Sequence, residues 1–207
     1  IRDLSTSPRK LLGLLSVEYL IAREGTLRSQ AFESKGRLGH LGVEVYRIRK
    51  PVPYTVAFST IHWVENFRSA RKWLLSEAYR PGKNVVFEAD QAPSLGGLDA
   101  GVPPRVRSIV YRAGHIKLRI SGDKGYLLIK ESYYPGWTAR LDGRETRIYR
   151  ANGLYMGIEI PAGAHSLELG FSPSLQRLAT WLSALFLLGY FSLLARLYWT
   201  RRGHKSP

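Results

Sequence analysis

Cysteine is absent from this 207-residue chain, and methionine occurs once. The lack of cysteine excludes disulfides and thiolate metal sites. Acidic residues are scarce, 16 against 31 Lys and Arg, and the formal net charge is +15. No RNP, zinc-finger or helix-turn-helix pattern accompanies this charge, so nucleic-acid binding is only a weak alternative. A basic surface of this kind is typical of a protein that meets lipid phosphates or anionic polymers, although a merely solvated basic surface is an equal alternative.

Enzyme fingerprints are also absent. The chain has no GxSxG, Walker or GxGxxG pattern, and its histidines show no HxH or HExxH spacing, so neither a cofactor nor a metal is predicted. Glycosyl transfer or hydrolysis needs placed carboxylates. The candidate carboxylates are Asp123, Glu131, Asp142, Glu145 and Glu159. They occupy turns or outward positions on predicted strands, which favours ordinary surface roles. We therefore assign no catalytic residue.

The chain begins with Ile1 and has no leader-like N-terminal segment, so we expect it to be the C-terminal part of a longer protein. Near its end, residues 178–195 carry no charge, and five basic side chains follow. This length meets the roughly 18 to 20 apolar residues that cross a bilayer. We therefore predict a transmembrane helix over residues 178–199 and a basic cytoplasmic tail over 200–207, with the preceding residues outside the cell. A buried helix of a soluble core is the alternative, but such a helix would show a polar stripe.

The rest of the chain divides by pattern into three parts. Residues 1–88 predict a mixed α/β lobe, with strands at 42–48, 54–58 and 84–88 and a helix over 66–79. Residues 89–104 are rich in Gly, Pro and Asp and predict a linker or long loop. Residues 105–174 alternate with period two and predict an antiparallel β-sandwich or jelly-roll-like domain. Its predicted strands cover residues 106–112, 115–121, 126–132, 137–141, 146–149, 154–160 and 165–171.

Two dipeptides within the predicted sandwich, Asp142-Gly143 and Asn152-Gly153, are typical of type I′ hairpin turns. Such a turn requires positive φ at both central residues. We therefore expect each dipeptide to join antiparallel neighbours, with Gly153 in the left-handed region.

One cluster has the composition of a binding site. Aromatic faces stack on sugar rings, and guanidinium groups pair with phosphates. A Pro-Gly turn in the sandwich region is surrounded by both kinds of side chain and predicts a site for a glycan or phosphate. Alternatively, Trp137 fills the end of the sandwich and the tyrosines brace the turn. The candidate residues are Tyr133, Tyr134, Trp137, Arg140, Arg144, Arg147 and Arg150.

The segment ESYYPGWTARLDGRETRIYRANGLYMGIEIPAGAHSLELGFSPS resembles the C-terminal region of the YfhO family of polytopic bacterial membrane proteins. The shared pattern comprises a Tyr-Tyr-Pro-Gly-Trp element, an Asp-Gly turn, an Asn-Gly turn and a Pro-Ala-Gly-x-His strand. The earlier segment LLGLLSVEYLIA is similar too. The resemblance implies a GT-C-type glycosyltransferase that moves a sugar from a polyprenyl-phosphate donor to a cell-envelope polymer, with its catalytic acid in an upstream multi-span part.

The expected function is therefore that of an extracytoplasmic, non-catalytic C-terminal part of a membrane glycosyltransferase. Its expected partners are the bilayer, the upstream membrane domain, and a polyprenyl-phosphate sugar or an anionic envelope polymer. A stand-alone, membrane-anchored module that binds carbohydrate or anionic polymer is the alternative.

Overall fold

The computed structural model describes residues 12–15, 17–25, 27, 32–90 and 101–203. These residues are mainly β, as predicted, and form three sheets, one short and one long α-helix, and brief helical turns. The first half contains β1 (Tyr19–Arg23), β2 (Phe32–Leu38), β3 (Val43–Ile48), β4 (Thr55–Phe58), β5 (His62–Val64), α1 (Phe67–Leu75) and β6 (Val86–Glu88). The second half contains β7 (Arg105–Arg112), β8 (His115–Gly122), β9 (Gly125–Ser132), β10 (Trp137–Leu141), β11 (Arg144–Thr146), β12 (Tyr149–Ala151), β13 (Tyr155–Ile160), β14 (Gly163–Phe171) and α2 (Ser174–Gly203).

Two of the sheets form a sandwich. The five-stranded sheet has the order β11-β10-β14-β8-β7, and the six-stranded sheet has the order β4-β9-β13-β12-β6-β5. Strands from before residue 89 thus pair with strands from after residue 104: β4 with β9 and β6 with β12. Of the predicted linker, residues 91–100 lie outside the described part of the chain. The third sheet, β1-β3-β2, is formed by the N-terminal strands alone.

The six-stranded sheet is buried on both faces. One face packs against the five-stranded sheet through residues such as Leu127 and Ile158, which meet Leu118 and Leu167. The opposite face has its own core around Phe87 and is covered by α1 and the segment that contains Leu14. Alternate residues of β9 enter the two cores, so Tyr126 to Ile129 are all apolar and buried. The sheet is therefore a middle layer that can hold a site at its edge rigidly.

The predicted strand over 146–149 is wrong in detail. The structure has two short strands there, because β11 ends at Thr146 in the five-stranded sheet and β12 begins at Tyr149 in the six-stranded sheet. The predicted helix over 66–79 starts as expected, with Asn66 Oδ1 accepting from the backbone N–H of Ser69 at 3.0 Å. It ends early, at Leu75, where the Ser76 hydroxyl donates to the carbonyl of Trp73 at 2.7 Å.

Both predicted hairpin turns are confirmed. Asp142 and Gly143 have φ of 50° and 81°, and Asn152 and Gly153 have φ of 49° and 72°. The first turn joins the antiparallel pair β10–β11, and the second joins β12–β13. Positive φ at both central residues is the geometry of a type I′ turn.

The described residues contain one helix that is long and apolar enough to cross a membrane. The window with this property is Ala179–Arg196 within α2, and none of it is buried against the rest of the protein. A core helix of a soluble protein would bury an apolar face. The lack of any buried residue in this window therefore argues against a buried helix of a soluble core. Residues 204–207 of the predicted basic tail lie outside the described part of the chain.

Candidate glycan-binding site

The seven candidate residues occupy three separate places in the fold. Tyr134 and Trp137 lie at the end of the sandwich next to α2, beside Phe171. Arg140 and Arg144 lie on the short strands β10 and β11 and are exposed. The remaining three, Tyr133, Arg147 and Arg150, line one cavity together.

Trp137 has the packing role that competes with binding. Its ring centroid is 5.2 Å from that of Phe171, and the side chain packs against the core between the two sheets. Its backbone N–H donates to the carbonyl of Tyr134 at 3.4 Å, which closes the Pro-Gly turn. Trp137 therefore joins the turn to the core.

Arg140 is exposed and stands opposite Glu145 on one neighbouring strand and Glu168 on the other. Cross-strand pairs of opposite charge stabilise a sheet modestly. The register thus gives Arg140 an electrostatic environment of its own, away from the cavity.

The cavity encloses about 320 Å³, at the small end of ordinary ligand sites. It lies where β12 meets β6, beneath the N-terminus of α1. Its charged lining comprises three carboxylates and two guanidinium groups, and aromatic rings complete the wall. The principal residues are Glu65, Asn66, Phe67, Glu88, Asp90, Tyr133, Arg147, Tyr149 and Arg150.

Glu88 is the most constrained group in this wall. Its side chain is only 7% exposed, and Oε2 lies 3.8 Å from a guanidinium nitrogen of Arg150. The other carboxylate oxygen, Oε1, is buried and has no hydrogen-bond partner among the residues that the structure describes. Burial raises the pKa of Glu88, and the positive charge of Arg150 opposes part of that rise. An unpaired buried carboxylate oxygen is costly.

Both cavity arginines are oriented by aromatic rings. The guanidinium carbon of Arg150 lies 5.2 Å from the ring centroid of Tyr133, and that of Arg147 lies 5.0 Å from the centroid of Tyr149. Such cation–π contacts hold a guanidinium group in place while its N–H groups stay available. The Tyr149 hydroxyl in turn donates to Glu159 at 3.3 Å.

Asn152 ties the two strands of the cavity together. Its side chain is buried, and Oδ1 accepts from the backbone N–H of Val86 at 3.0 Å while Nδ2 donates to the Tyr79 hydroxyl at 3.3 Å. Its own N–H donates to the carbonyl of Val86 at 2.8 Å. The turn after β12 thus fixes β6, which carries Glu88, beside β12, which carries Arg150.

Two of the carboxylates considered as catalytic candidates, Glu131 and Asp142, have structural partners. Glu131 accepts from the Tyr54 hydroxyl at 3.0 Å. Asp142 accepts from the backbone N–H of Ser166 at 2.7 Å and lies 2.6 Å from His165 Nδ1. The hydrogen bond with His165 is the largest cause of the lowered pKa of Asp142, and the bond from the Ser166 N–H is the next largest. Among the described residues no group of three His, Asp or Glu side chains could hold a metal ion.

Sequence reasoning missed the acidic half of the cavity. Glu65, Glu88 and Asp90 come from the first half of the chain and reach Tyr133 and Arg150 only through the pairing of β6 with β12. No local pattern marks them. The one available signal was the Asn-Gly turn at 152–153, but its side-chain bond to Val86 is not visible in the sequence.

Comparison with known protein families finds a match in the second half of the chain. Residues 105–183 match the family described as "Bacterial membrane protein YfhO". This part of the chain is similar to that family. It runs from β7 through β14 into α2, and it contains all seven candidate residues. No curated protein and no solved structure matches the chain.

The matched family is described as a membrane protein, and together with the exposed apolar helix the match indicates association with a lipid bilayer. The segment that suggested the resemblance lies within the matched residues.

Proposed function

We propose that this chain is the extracytoplasmic, non-catalytic C-terminal part of a membrane glycosyltransferase. The complete enzyme would take a sugar from a polyprenyl-phosphate donor and add it to a cell-envelope polymer. The sandwich would help to form the acceptor side of the site, and α2 would cross the membrane with its basic end in the cytoplasm.

The observation that carries this proposal is the extent of the YfhO match. The matched residues include the whole five-stranded sheet and continue into the apolar helix. Only Ser172 and Pro173 separate β14 from α2. A globular unit joined so closely to a membrane span works at the membrane surface, where a polyprenyl-linked sugar is presented.

The cavity supports a role in holding the acceptor. Carboxylates accept hydrogen bonds from sugar hydroxyls, guanidinium groups donate to ring and hydroxyl oxygens, and aromatic rings cover the apolar faces of sugars. Three carboxylates against two guanidinium groups disfavour a phosphate, because Glu65, Glu88 and Asp90 would repel it. We therefore favour an uncharged glycan as the ligand of this cavity.

The test compares two arginines in the longer protein that carries this chain. Arg150→Gln removes a charged donor from the cavity, and losing a hydrogen bond to a charged group costs about 1.5–3 kcal/mol. We expect acceptor use to fall roughly 10-fold or more, with the KM for the polyprenyl-phosphate sugar unchanged. Arg140→Gln, outside the cavity, is the matched control and should retain activity.

Tyr133→Leu keeps an apolar side chain but removes the aromatic face, and it should weaken acceptor use without removing a charge. Melting temperatures of all three variants separate lost binding from lost folding. Normal acceptor use by folded Arg150→Gln and Tyr133→Leu proteins would refute a binding role for the cavity.

The alternative function is a membrane-anchored carbohydrate-binding module. The same cavity supports it, since glycan binding there requires no catalytic partner. Binding of envelope glycans by this chain, together with no transferase activity in the longer protein, would favour the module.

A further inference from the structure

The end of the sandwich from which α2 emerges is formed by three segments of the chain. They are the β7–β8 hairpin turn at 112–115, the turn at 133–136, and residues 171–173 at the exit of β14. We call this surface the helix-proximal end.

Backbone hydrogen bonds fix these segments to the start of α2. The N–H of Phe171 donates to the carbonyl of Gly114 at 2.8 Å, and the N–H of Ser172 donates to the carbonyl of Gly136, also at 2.8 Å. Gly136 has a φ of 112°, and a Cβ at this position would lie 3.2 Å from the Cα of Pro173. The two turns are therefore held close to the residue that precedes the helix.

The distance to the apolar span is short. Helix α2 begins at Ser174, and its apolar window begins at Ala179. Five residues at about 1.5 Å each give roughly 8 Å along the helix axis. The headgroup layer on each side of the hydrocarbon core is also about 5–8 Å thick. The helix-proximal end would thus reach the headgroup layer when α2 spans the bilayer.

The exposed side chains at this end suit that layer. Tyr134 is 62% exposed, with its ring centroid 6.3 Å from that of Phe171. Tyr111, which directly precedes the 112–115 turn, is 58% exposed, and the neighbouring Arg112 and His115 are exposed as well. Tyrosine rings are enriched at membrane–water interfaces, and cationic side chains there attract anionic lipid phosphates.

We propose that the helix-proximal end is a second membrane contact, which inserts Tyr134 and the 112–115 turn among the lipid headgroups and orients the sandwich relative to the bilayer. The inference rests on the membrane span of the proposed function, but it is independent of glycosyl transfer. The opposite end of the sandwich, at the β8–β9 turn, lies about 25 Å away, since β8 has eight residues of roughly 3.3 Å each.

Because the chain has no cysteine, single cysteines can report the depth of each position. Four variants of the full chain are labelled with a polarity-sensitive fluorophore and reconstituted into phosphatidylcholine–phosphatidylglycerol vesicles. Tyr134→Cys and Ala113→Cys probe the helix-proximal end, Asp123→Cys probes the opposite end, and Leu187→Cys probes the middle of the span. Quenching is measured with lipids spin-labelled on the headgroup or on the acyl chain, and with aqueous iodide.

We expect headgroup-labelled lipid to quench positions 134 and 113 at least several-fold more than position 123, and iodide to quench position 123 most. Acyl-labelled lipid should quench position 187. If position 187 is quenched by lipid but positions 134 and 113 behave like 123, the span stands and the second contact is refuted. If position 187 is quenched by iodide and not by lipid, the span of the proposed function fails, and this inference fails with it.

Discussion

Asp142 and Asn152, two non-glycine residues, adopt left-handed backbone conformations, and in both cases the side chain bonds to a distant segment. Asp142 bonds to Ser166 and His165 on β14, and Asn152 bonds to Val86 on β6. Left-handed backbone is tolerated best by Gly, Asn and Asp. Several residues that carry the family resemblance therefore have a clear structural task, which is to lock hairpin turns to the strands beside them.

Asn152→Ala should be strongly destabilising. The change leaves the Val86 N–H without its side-chain partner. It also places alanine, which tolerates left-handed backbone less well than asparagine, at a φ of 49°. The loss of a buried bond costs about 1–3 kcal/mol and the conformation about 1–2 kcal/mol. Urea unfolding of the soluble part measures the sum. Asn152→Gly is the control, because it removes the same bonds without the backbone penalty and should be less destabilising than Asn152→Ala. An Asn152→Ala protein as stable as the original chain would contradict the prediction.

The His165–Asp142 pair predicts a pH dependence of stability. Both ring nitrogens of His165 face acceptors, Asp142 Oδ2 at 2.6 Å and the Ala162 carbonyl at 3.3 Å, so the protonated ring satisfies both. The bond to Asp142 raises the pKa of His165 above its ordinary 6.5. Its contribution is fully present below that value and is lost as the pH rises through the higher folded-state pKa.

The contribution of Asp142 to stability depends on pH in the opposite direction. Its lowered pKa gives stability that is present above the ordinary 3.8 and is lost as the pH falls through the lower folded-state value. We expect the contribution of the His165–Asp142 pair to the free energy of unfolding to be greatest between about pH 4 and 6.5. Denaturant unfolding from pH 4 to 9 tests this: a His165→Asn variant should lose the decline on the alkaline side, and an unchanged profile would exclude the pair as its cause.

At the scale of elements, the strands of the second half were largely predictable because each follows the alternation of one buried face. The sequence could not reveal which strands pair with each other. β5 and β6 pair in parallel across α1, and β4 joins β9 some 70 positions later. β2 escaped prediction because its residues FESKGRL are mostly exposed and show no alternation. The cavity shares this limit, since its carboxylates and its arginines come from strands that only the sheet brings together.

Gly157→Ala tests the contact between the β13 strand and the core around Phe87. A Cβ at Gly157 would lie 2.4 Å from Phe87 Cζ, and the Phe87 ring is fully buried. Overpacking of this kind costs about 1–3 kcal/mol. Gly170→Ala on β14 is the matched control, because its Cβ would meet only the Thr138 hydroxyl at 3.8 Å. Thermal unfolding should give Gly157→Ala the lower melting temperature; equal melting temperatures would contradict the close contact between Gly157 and Phe87.

Leu187→Arg tests α2 as a membrane span. Leu187 lies near the centre of the apolar window, and its side chain is exposed on the surface of α2. An arginine at the centre of a span costs about 2.5–3.5 kcal/mol of insertion free energy. We expect a clear loss of membrane integration in an insertion assay, whereas Leu187→Phe should integrate normally. Normal integration of the arginine variant would argue that α2 does not cross the bilayer.

At the scale of the whole molecule, the globular part and the apolar helix are separate in their packing. The sandwich closes its cores without any residue of the window Ala179–Arg196, none of which is buried. Two-sided burial of the six-stranded sheet gives the globular part the rigidity of a scaffold.

A chain that ends at Ser174 should therefore fold and lose its affinity for the membrane. We expect its near-ultraviolet circular dichroism to match that of the full chain, because the aromatic cores around Phe87 and Trp137 are complete without the apolar window. In detergent phase separation the shortened chain should enter the aqueous phase and the full chain the detergent phase.

Neither chain should transfer or hydrolyse a glycosyl group, because the carboxylates Glu131 and Asp142 are held by structural partners. Equal partitioning would refute the anchor, and turnover by either chain would refute the non-catalytic role.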